Sequence, residues 1–464
     1  MASKRQKSRR QLELAFVSAG RGEAPSVESG GTELPRADCG TERQASEQRL
    51  IEAVCEPANI ARAVKQVMSN RGSAGVDGMG VKQLPKYLSR QWPALQEQLL
   101  SGRYVPQPLK RVEVPKPGGG VRKLGIPTVV DRMIQQALLQ VLQPVWDATF
   151  SEHSFGFRPG RSAHQAVAQA KEYIGAGYGW VVDIDLEQFF DRVNHDMLMG
   201  RVAKRVEDKR VLGLLRGFLT AGVLEGGLVS ATTEGTPQGG PLSPLLSNLL
   251  LDDLDRELER RGHRFVRYAD DCNIYVRSER AGERVLESVS GFITRKLKLR
   301  INEAKSAVAK PSTRKFLGFS FTAGAQRLKL RIAPQAIKRF KARVRELTPC
   351  TTGRSLEAVI AGLKRYMDGW LAYFGHCETP TVLKRLDGWI RRRLRAILWH
   401  QWGTGPRRFD ELRQRGVSGH KAAAAAGTAH GTWRMSHCEP VCTALPNGYF
   451  TKLGLPTLAP NTTP

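Results

Sequence analysis

Tyr268-Ala269-Asp270-Asp271 places two adjacent carboxylates between a basic apolar run, Arg264-Phe265-Val266-Arg267, and a second apolar run, Asn273-Ile274-Tyr275-Val276. The two runs predict strands joined by a tight turn, a hairpin that carries two acids at its bend. Acids held in that way face solvent or a hard divalent cation such as magnesium, which prefers oxygen ligands. Taken alone, an exposed acidic turn explains the motif equally well. A second acidic pair lies in Trp180-Val181-Val182-Asp183-Ile184-Asp185-Leu186. That stretch reads as a buried strand whose period of two sets Asp183 and Asp185 on one face. Burying bare charge on so apolar a strand is costly, so a neutralising partner is expected there. Phe189-Phe190-Asp191 follows at once and puts aromatic bulk beside the acids.

Two further segments could meet a ligand. Gly235-Thr236-Pro237-Gln238-Gly239-Gly240-Pro241-Leu242-Ser243-Pro244 is a Gly/Pro-rich loop opening a helix through Leu245, Leu246, Leu249 and Leu250. Its glycines permit close backbone approach, and Gln238 offers both a donor and an acceptor; a purely structural loop is the alternative. Val112-Glu113-Val114-Pro115-Lys116-Pro117-Gly118-Gly119-Gly120-Val121-Arg122-Lys123-Leu124 reads as two strands around a Gly-rich turn. Lys116, Arg122 and Lys123 could grip phosphates there, or stand as ordinary surface cations. Together, Asp185, Asp270, Asp271, Gln238 and the basic hairpin supply the parts of template-directed nucleotidyl transfer. That chemistry uses two magnesium ions, about 3.5–4 Å apart, caged by carboxylates from separate strands.

The surrounding elements follow from periodicity and composition. Residues 1–45, rich in Ser, Gly, Glu and Arg and nearly without aromatics, predict a disordered basic leader, because they offer too little apolar surface to offset the entropy of ordering. From Glu47 the pattern turns helical, with Leu50, Ile51, Val54, Ile60, Val64, Val67 and Met68 at spacings of three and four. A helix is predicted over Asp131 to Val145, with Met133, Ile134, Ala137, Leu138, Val141 and Leu142 on one face. After Pro334 the chain becomes long basic helices. One is marked by Val359, Ile360, Leu363, Tyr366, Trp370, Leu371 and Phe374, and a second by Leu386, Trp389, Ile390, Leu394, Ile397 and Leu398. On the second, Arg391, Arg392 and Arg395 fall off the apolar stripe and predict an arginine face.

The chain carries 72 Lys and Arg against 44 Asp and Glu, a net charge of +28. This excess implies a polyanion partner, and its spread over folded stretches favours nucleic acid over a membrane surface. Between Arg331 and Arg415 there are 19 Lys and Arg against 7 Asp and Glu, which marks that region as a nucleic-acid dock. There is neither an apolar run of membrane-spanning length nor an apolar stretch after Met1, so a cytoplasmic protein without a membrane partner is expected. The seven cysteines are an odd, scattered set, which predicts reduced thiols. His430, His437, Cys438 and Cys442 cluster in the tail but lack the second ligand pair of a zinc knuckle.

From Asn59 onward the motifs resemble, in order, those of bacterial group II intron-encoded reverse transcriptases and maturases. They run Asn70-Arg71-Gly72-Ser73-Ala74-Gly75-Val76-Asp77-Gly78, the basic hairpin, Phe155-Gly156-Phe157-Arg158-Pro159-Gly160-Arg161-Ser162 and the Asp185-to-Phe190 strand. Then follow T-P-Q-G-G-P-L-S-P, Y-A-D-D, Leu299-Arg300-Ile301-Asn302-Glu303-Ala304-Lys305-Ser306 and Phe316-Leu317-Gly318. The resemblance implies an α+β right-hand polymerase, with fingers and an antiparallel palm sheet over residues 46–330, a helical thumb or maturase domain over 331–415 and a C-terminal extension over 416–464. It implies that Asp185, Asp270 and Asp271 bind two magnesium ions and catalyse DNA synthesis, with Asp183 supporting the strand. Phe190 gates against a ribose 2′-hydroxyl, Gln238 lines the nucleotide pocket, Lys116 and Arg122 hold the triphosphate, and Lys305 lies near it. Arg158 and Arg161 adjoin template or nucleotide, and Arg391, Arg392 and Arg395 dock RNA. The implied partners are intron RNA, an RNA template with a DNA primer, dNTPs and target DNA. The tail lacks the paired cysteines and His-Asn-His set of a nuclease, so the compact subclass is expected, which needs another source of primer, such as a nascent strand at a replication fork. Two alternatives are a splicing factor with little polymerase use and a reverse transcriptase of a defence or diversification system.

Overall fold

A computed structural model describes residues 49–115, 121–225, 228–230, 234–236, 239–322, 328–350 and 353–459, with Arg122 described through its backbone alone. The predicted leader, Lys116 and Gln238 lie outside these residues. What is described divides into two compact units. One holds the chain up to Ala166 and Val182–Val308; the other holds Val167–Val181 and the chain from Ala309.

In the first unit the apolar repeat after Glu47 forms helices Leu50–Cys55 and Pro57–Ser69, where Ile51, Val54, Ile60, Val64 and Val67 are buried. Pro57 opens the second of these because proline lacks only an N–H that the first turn leaves unpaired. Strands β1 (Leu109–Pro115) and β2 (Val121–Ile126) pair antiparallel with Val112 opposite Leu124. The other strands of the two four-stranded sheets are β3 (Trp180–Ile184), β4 (Val223–Glu225), β5 (Leu228–Ser230), β6 (Arg264–Tyr268), β7 (Asp271–Val276) and β8 (Ala307–Ala309). The sheet orders are β2-β1-β4-β5 and β6-β7-β3-β8. The second order sets β7, which begins at Asp271, beside β3, which leads into Asp185. The helix Val129–Asp147 extends the expected span by two residues at each end. It is capped by Thr128, whose hydroxyl accepts from Asp131 N–H, while buried Asp131 accepts from the Tyr104 hydroxyl at 2.8 Å.

The second unit pairs β9 (Phe319–Phe321) with β10 (Leu330–Ile332) and then becomes helical. Its three long helices are Pro334–Leu347, Leu356–Phe374 and Pro380–Gln401. Their apolar stripes meet in one core through Phe340, Leu363, Ile390, Leu394 and Trp399, and Met435, Val441, Leu445, Phe450 and Leu458 belong to the same core. The tail is thus part of this unit's interior.

The arginine face expected on the third long helix is placed differently. Asp387, Arg391 and Arg395 recur at intervals of four along that helix and are all buried. They form a polar seam that holds the tail. Asp387 accepts from the N–H groups of Leu458 and Ala459, each at 3.0 Å. Arg391 pairs with Asp387 and donates to Thr457 Oγ1 at 3.3 Å. Arg395 donates to the Leu445 carbonyl and to Asn447 Oδ1, both at 2.9 Å. Long aliphatic stems let arginines pack within apolar surroundings while their heads find partners, so absence from an apolar stripe did not mean exposure. Arg392 stacks on Trp433, 4.1 Å from the ring centroid, and donates to the Trp433 carbonyl.

Phe450 is fully buried in this shared core. Phe450→Ala is expected to lower stability by about 3–5 kcal/mol, the range for removing a buried aromatic, read as a shifted urea transition of the helical unit. A loss below about 1 kcal/mol would show that the tail is only loosely attached.

Candidate active site

The acidic turn is built from underneath. Tyr268 pairs with Asp271, so Ala269 and Asp270 form a two-residue turn, with Ala269 at φ +58°. A non-glycine residue in that left-handed region costs about 1–2 kcal/mol, and the surroundings must hold it there. Arg267, fully buried beneath the turn, donates through Nη1 to the Ala269 carbonyl at 2.9 Å and to Asn248 Oδ1 at 3.0 Å. Its Nε and Nη2 meet both oxygens of Asp255 at 2.7 and 2.6 Å, and Nη2 also reaches Ser154 Oγ at 2.7 Å. Burial works against the guanidinium charge, but Asp255 outweighs it and holds Arg267 above its ordinary value.

Asn248 and Asp255 lie on helix Ser243–Arg260, which the Gly/Pro-rich loop opens. Asn248 Nδ2 in turn donates to the Gly156 carbonyl at 2.9 Å. A Cβ at Gly156 would sit 2.2 Å from the Ala269 nitrogen, so only glycine fits against the turn. The Phe155-Gly156 motif, the loop's helix and the acidic hairpin therefore interlock through one arginine.

Asp185 is fixed through its backbone. Its N–H donates to Ser306 Oγ at 3.0 Å and its carbonyl accepts from Asn302 N–H at 2.9 Å. From the same segment Lys305 Nζ lies 3.3 Å from Asp185 Oδ1. Phe190 sits in the single 3-10 turn Phe189–Asp191, after Gln188 in a left-handed conformation. Its carbonyl accepts from Thr236 N–H at 2.6 Å. Gly235, at φ +96°, passes so close that a Cβ would lie 3.1 Å from the carbonyl oxygens of Phe190 and Asp191. The glycine-rich loop thus braces the aromatic residue.

Asp185, Asp270 and Asp271 line one cavity of about 880 Å³ with Phe190, Lys305, Gly239 and Gly240. Their hard oxygen donors suit a divalent cation, and the Lys305 ammonium already stands against Asp185 as a positive charge. Among the described residues no three His, Cys, Asp or Glu side chains gather into a finished ion cage. The aspartates share the cavity without closing on one point.

Arg132 and Gln136, four residues apart on helix Val129–Asp147, also line this cavity. Periodicity points only to the apolar face of that helix, so neither residue was expected at the site. Arg132 donates to the Ser73 carbonyl at 2.5 Å, and burial draws it below the usual arginine range against the opposing charge of Asp77. Arg158 and Arg161 do not line the cavity. Arg158 is buried, pairs with Asp147 at 2.8 Å and donates to the Ser154 carbonyl at 2.9 Å, so its fork serves the fold. Arg161 donates to the Glu152 carbonyl at 3.3 Å and lies over the Phe155 ring.

Residues 114–321 match the family model described as reverse transcriptase (RNA-dependent DNA polymerase). Residues 337–416 match the group II intron, maturase-specific domain. Protein YkfC of Escherichia coli (strain K12) is 35% identical over 301 residues, covering 56% of this chain and 79% of that protein. The chain belongs to the group II intron-type reverse transcriptases and maturases. The group II intron-encoded protein LtrA of Lactococcus lactis subsp. cremoris is 29% identical over 344 residues, and the match spans 56% of its length. A solved chain of a partial Cas6-RT-Cas1--Cas2 complex is 26% identical over 53% of this chain and 43% of that one, with a TM-score of 0.35. The family fold agrees with the expected α+β polymerase followed by helices, and members of the family carry out RNA-directed DNA synthesis and intron splicing.

Breaking a buried ion pair costs about 3–5 kcal/mol, because it strands the other charge, whereas replacing both partners with apolar groups is often neutral. Arg267→Met is accordingly expected to destabilise the first unit by that amount, and Arg267→Met with Asp255→Leu to recover most of it in urea denaturation. DNA synthesis is expected to stay impaired in the double variant, since the Ala269 carbonyl is then without its donor. Full synthesis with recovered stability would dissociate Arg267 from the turn.

Proposed function

We propose that this protein copies group II intron RNA into DNA at the Asp185, Asp270 and Asp271 cavity and holds the same RNA through its helical unit to assist splicing. The observation that carries the reading is the convergence of those three aspartates on one cavity, with Phe190 and Lys305 beside them. Magnesium is the cation proposed for this site, where it would activate a primer 3′-hydroxyl and stabilise charge on the transferring phosphoryl group. Asp185, Asp270 and Asp271 would hold it.

The remaining roles belong to the chain's own side chains. Phe190, held by Thr236 and Gly235, limits the space beside the sugar of an incoming dNTP and so selects against a 2′-hydroxyl. Lys305 would exchange its contact with Asp185 for a phosphate oxygen as nucleotide enters. Lys116, Arg122 and Gln238 keep their proposed parts in gripping the triphosphate and lining the pocket. Arg132 and Gln136, on the helix lining the cavity, add a cation and an amide that suit a template strand. The DNA primer, target DNA and cytoplasmic, nucleoid-associated action are part of the same proposal. Among the described residues no helix is long and apolar enough to cross a membrane.

Asp270→Ala is expected to lower dNTP incorporation on a primed RNA template with magnesium by at least about 10³-fold, consistent with losing an electrostatic group at the reacting centre, while leaving RNA affinity nearly intact. Undiminished synthesis would remove Asp270 from the catalytic set. Phe190→Val is expected to raise ribonucleotide incorporation relative to deoxyribonucleotide in a competition assay. An unchanged ratio would assign sugar selection to another residue.

A further inference from the structure

We propose that the surface around Trp389 in the helical unit binds an RNA phosphate backbone through Lys341, Arg345 and Arg393. The inference rests on the reading of that unit as the RNA-holding part of the protein, and it supplies the contact surface that the inward-facing Arg391 and Arg395 do not.

Lys341 Nζ lies 5.6 Å from the Trp389 ring centroid, and the guanidinium carbons of Arg345 and Arg393 lie 5.5 Å from it. Three cations around one indole repel one another, and among the described residues none of the three is paired with a carboxylate. Glu346, the one acid on helix Pro334–Leu347, is taken by Arg343 at 2.7 Å. Burial draws Arg393 below its ordinary value, and Arg345 adds to that shift. A cluster of this kind gains stability when an anion enters it.

The cluster is also pre-positioned. Lys341 and Arg345 are four apart on one helix, and Trp389 and Arg393 are four apart on another, so each pair shares a face. Arg393 is braced by Thr348, donating to its hydroxyl at 2.6 Å and to its carbonyl at 2.7 Å. Exposed Arg385, one turn before Trp389, and exposed Lys338, one turn before Lys341, extend both cationic rows. An aromatic ring flanked by guanidinium planes and an ammonium matches the combination that single-stranded and looped RNA offers, phosphate charge beside unstacked bases.

The test uses the full-length protein and a fluorescently labelled transcript of a group II intron, titrated over a range of salt concentrations beside a DNA duplex of matched length. Lys341→Gln with Arg345→Gln is expected to weaken intron RNA binding about 10-fold and to make the slope of log affinity against log salt shallower by about 2, one for each phosphate no longer neutralised. Arg339→Gln with Arg343→Gln removes the same charge from other exposed positions of the same helix and is expected to weaken binding by less than about 3-fold. Equal weakening in the two double variants would overturn the site, since general electrostatics would then suffice. Weaker duplex DNA binding with RNA binding unchanged would overturn the assignment to RNA. A wild-type protein without salt-dependent affinity for the transcript would overturn both the site and the functional reading beneath it.

Discussion

Arg267 is the interaction on which the catalytic unit depends. A fully buried guanidinium is costly unless every donor is satisfied and a counter-charge faces it, and here Asp255, Asn248, Ser154 and the Ala269 carbonyl do both. The acidic turn, the helix behind it and the Phe155-Gly156 segment therefore adopt one mutual arrangement. Displacing any of them strands a charge. The strained φ of Ala269 is held by this geometry, and with it the direction from which Asp270 and Asp271 meet the cavity.

Above that anchor the electrostatics run the other way. The chain as a whole is strongly cationic, yet the cavity of its first unit brings three aspartates together. A polyanion drawn by the general field would be repelled at that cavity unless cations intervene there. Lys305 against Asp185 is the protein's own partial answer, and the oxygen-only donor set leaves the rest to divalent ions. The general cationic field and the acidic cavity thus have separate charge arrangements.

Much of this was legible in the sequence. The hairpin bearing Asp270 and Asp271, the strand leading to Asp185, and the helices after Pro334 follow from periodicity, and the structure has them within a few residues. The arginines were not legible. Arg158, Arg267, Arg391 and Arg395 look like surface cations in a linear reading, because no helix or strand period announces most of their partners: Arg158 meets Asp147 eleven residues away, Arg267 meets Asp255 twelve away and Arg395 meets Leu445 fifty away. The four-residue spacing of Asp387 and Arg391 is visible in sequence, but the tail that covers them is not. Arg132 and Gln136 escape notice for the converse reason, since two more polar residues on an amphipathic helix announce nothing until the cavity is seen.

The shared core of the helical unit also sets a timetable. Domains tend to fold in the order in which they leave the ribosome, at about 5–20 residues per second. The acidic hairpin and the strand beside it are complete once Ala309 has been made, whereas Phe450 and Leu458 must emerge before the helical core can close. Lys171, which pairs with Glu378 across 207 residues of sequence, belongs to a segment made early that must wait for partners made late. A nascent chain therefore passes through an interval, on the order of ten seconds at those rates, in which the acidic hairpin and its neighbouring strand exist without a finished helical unit.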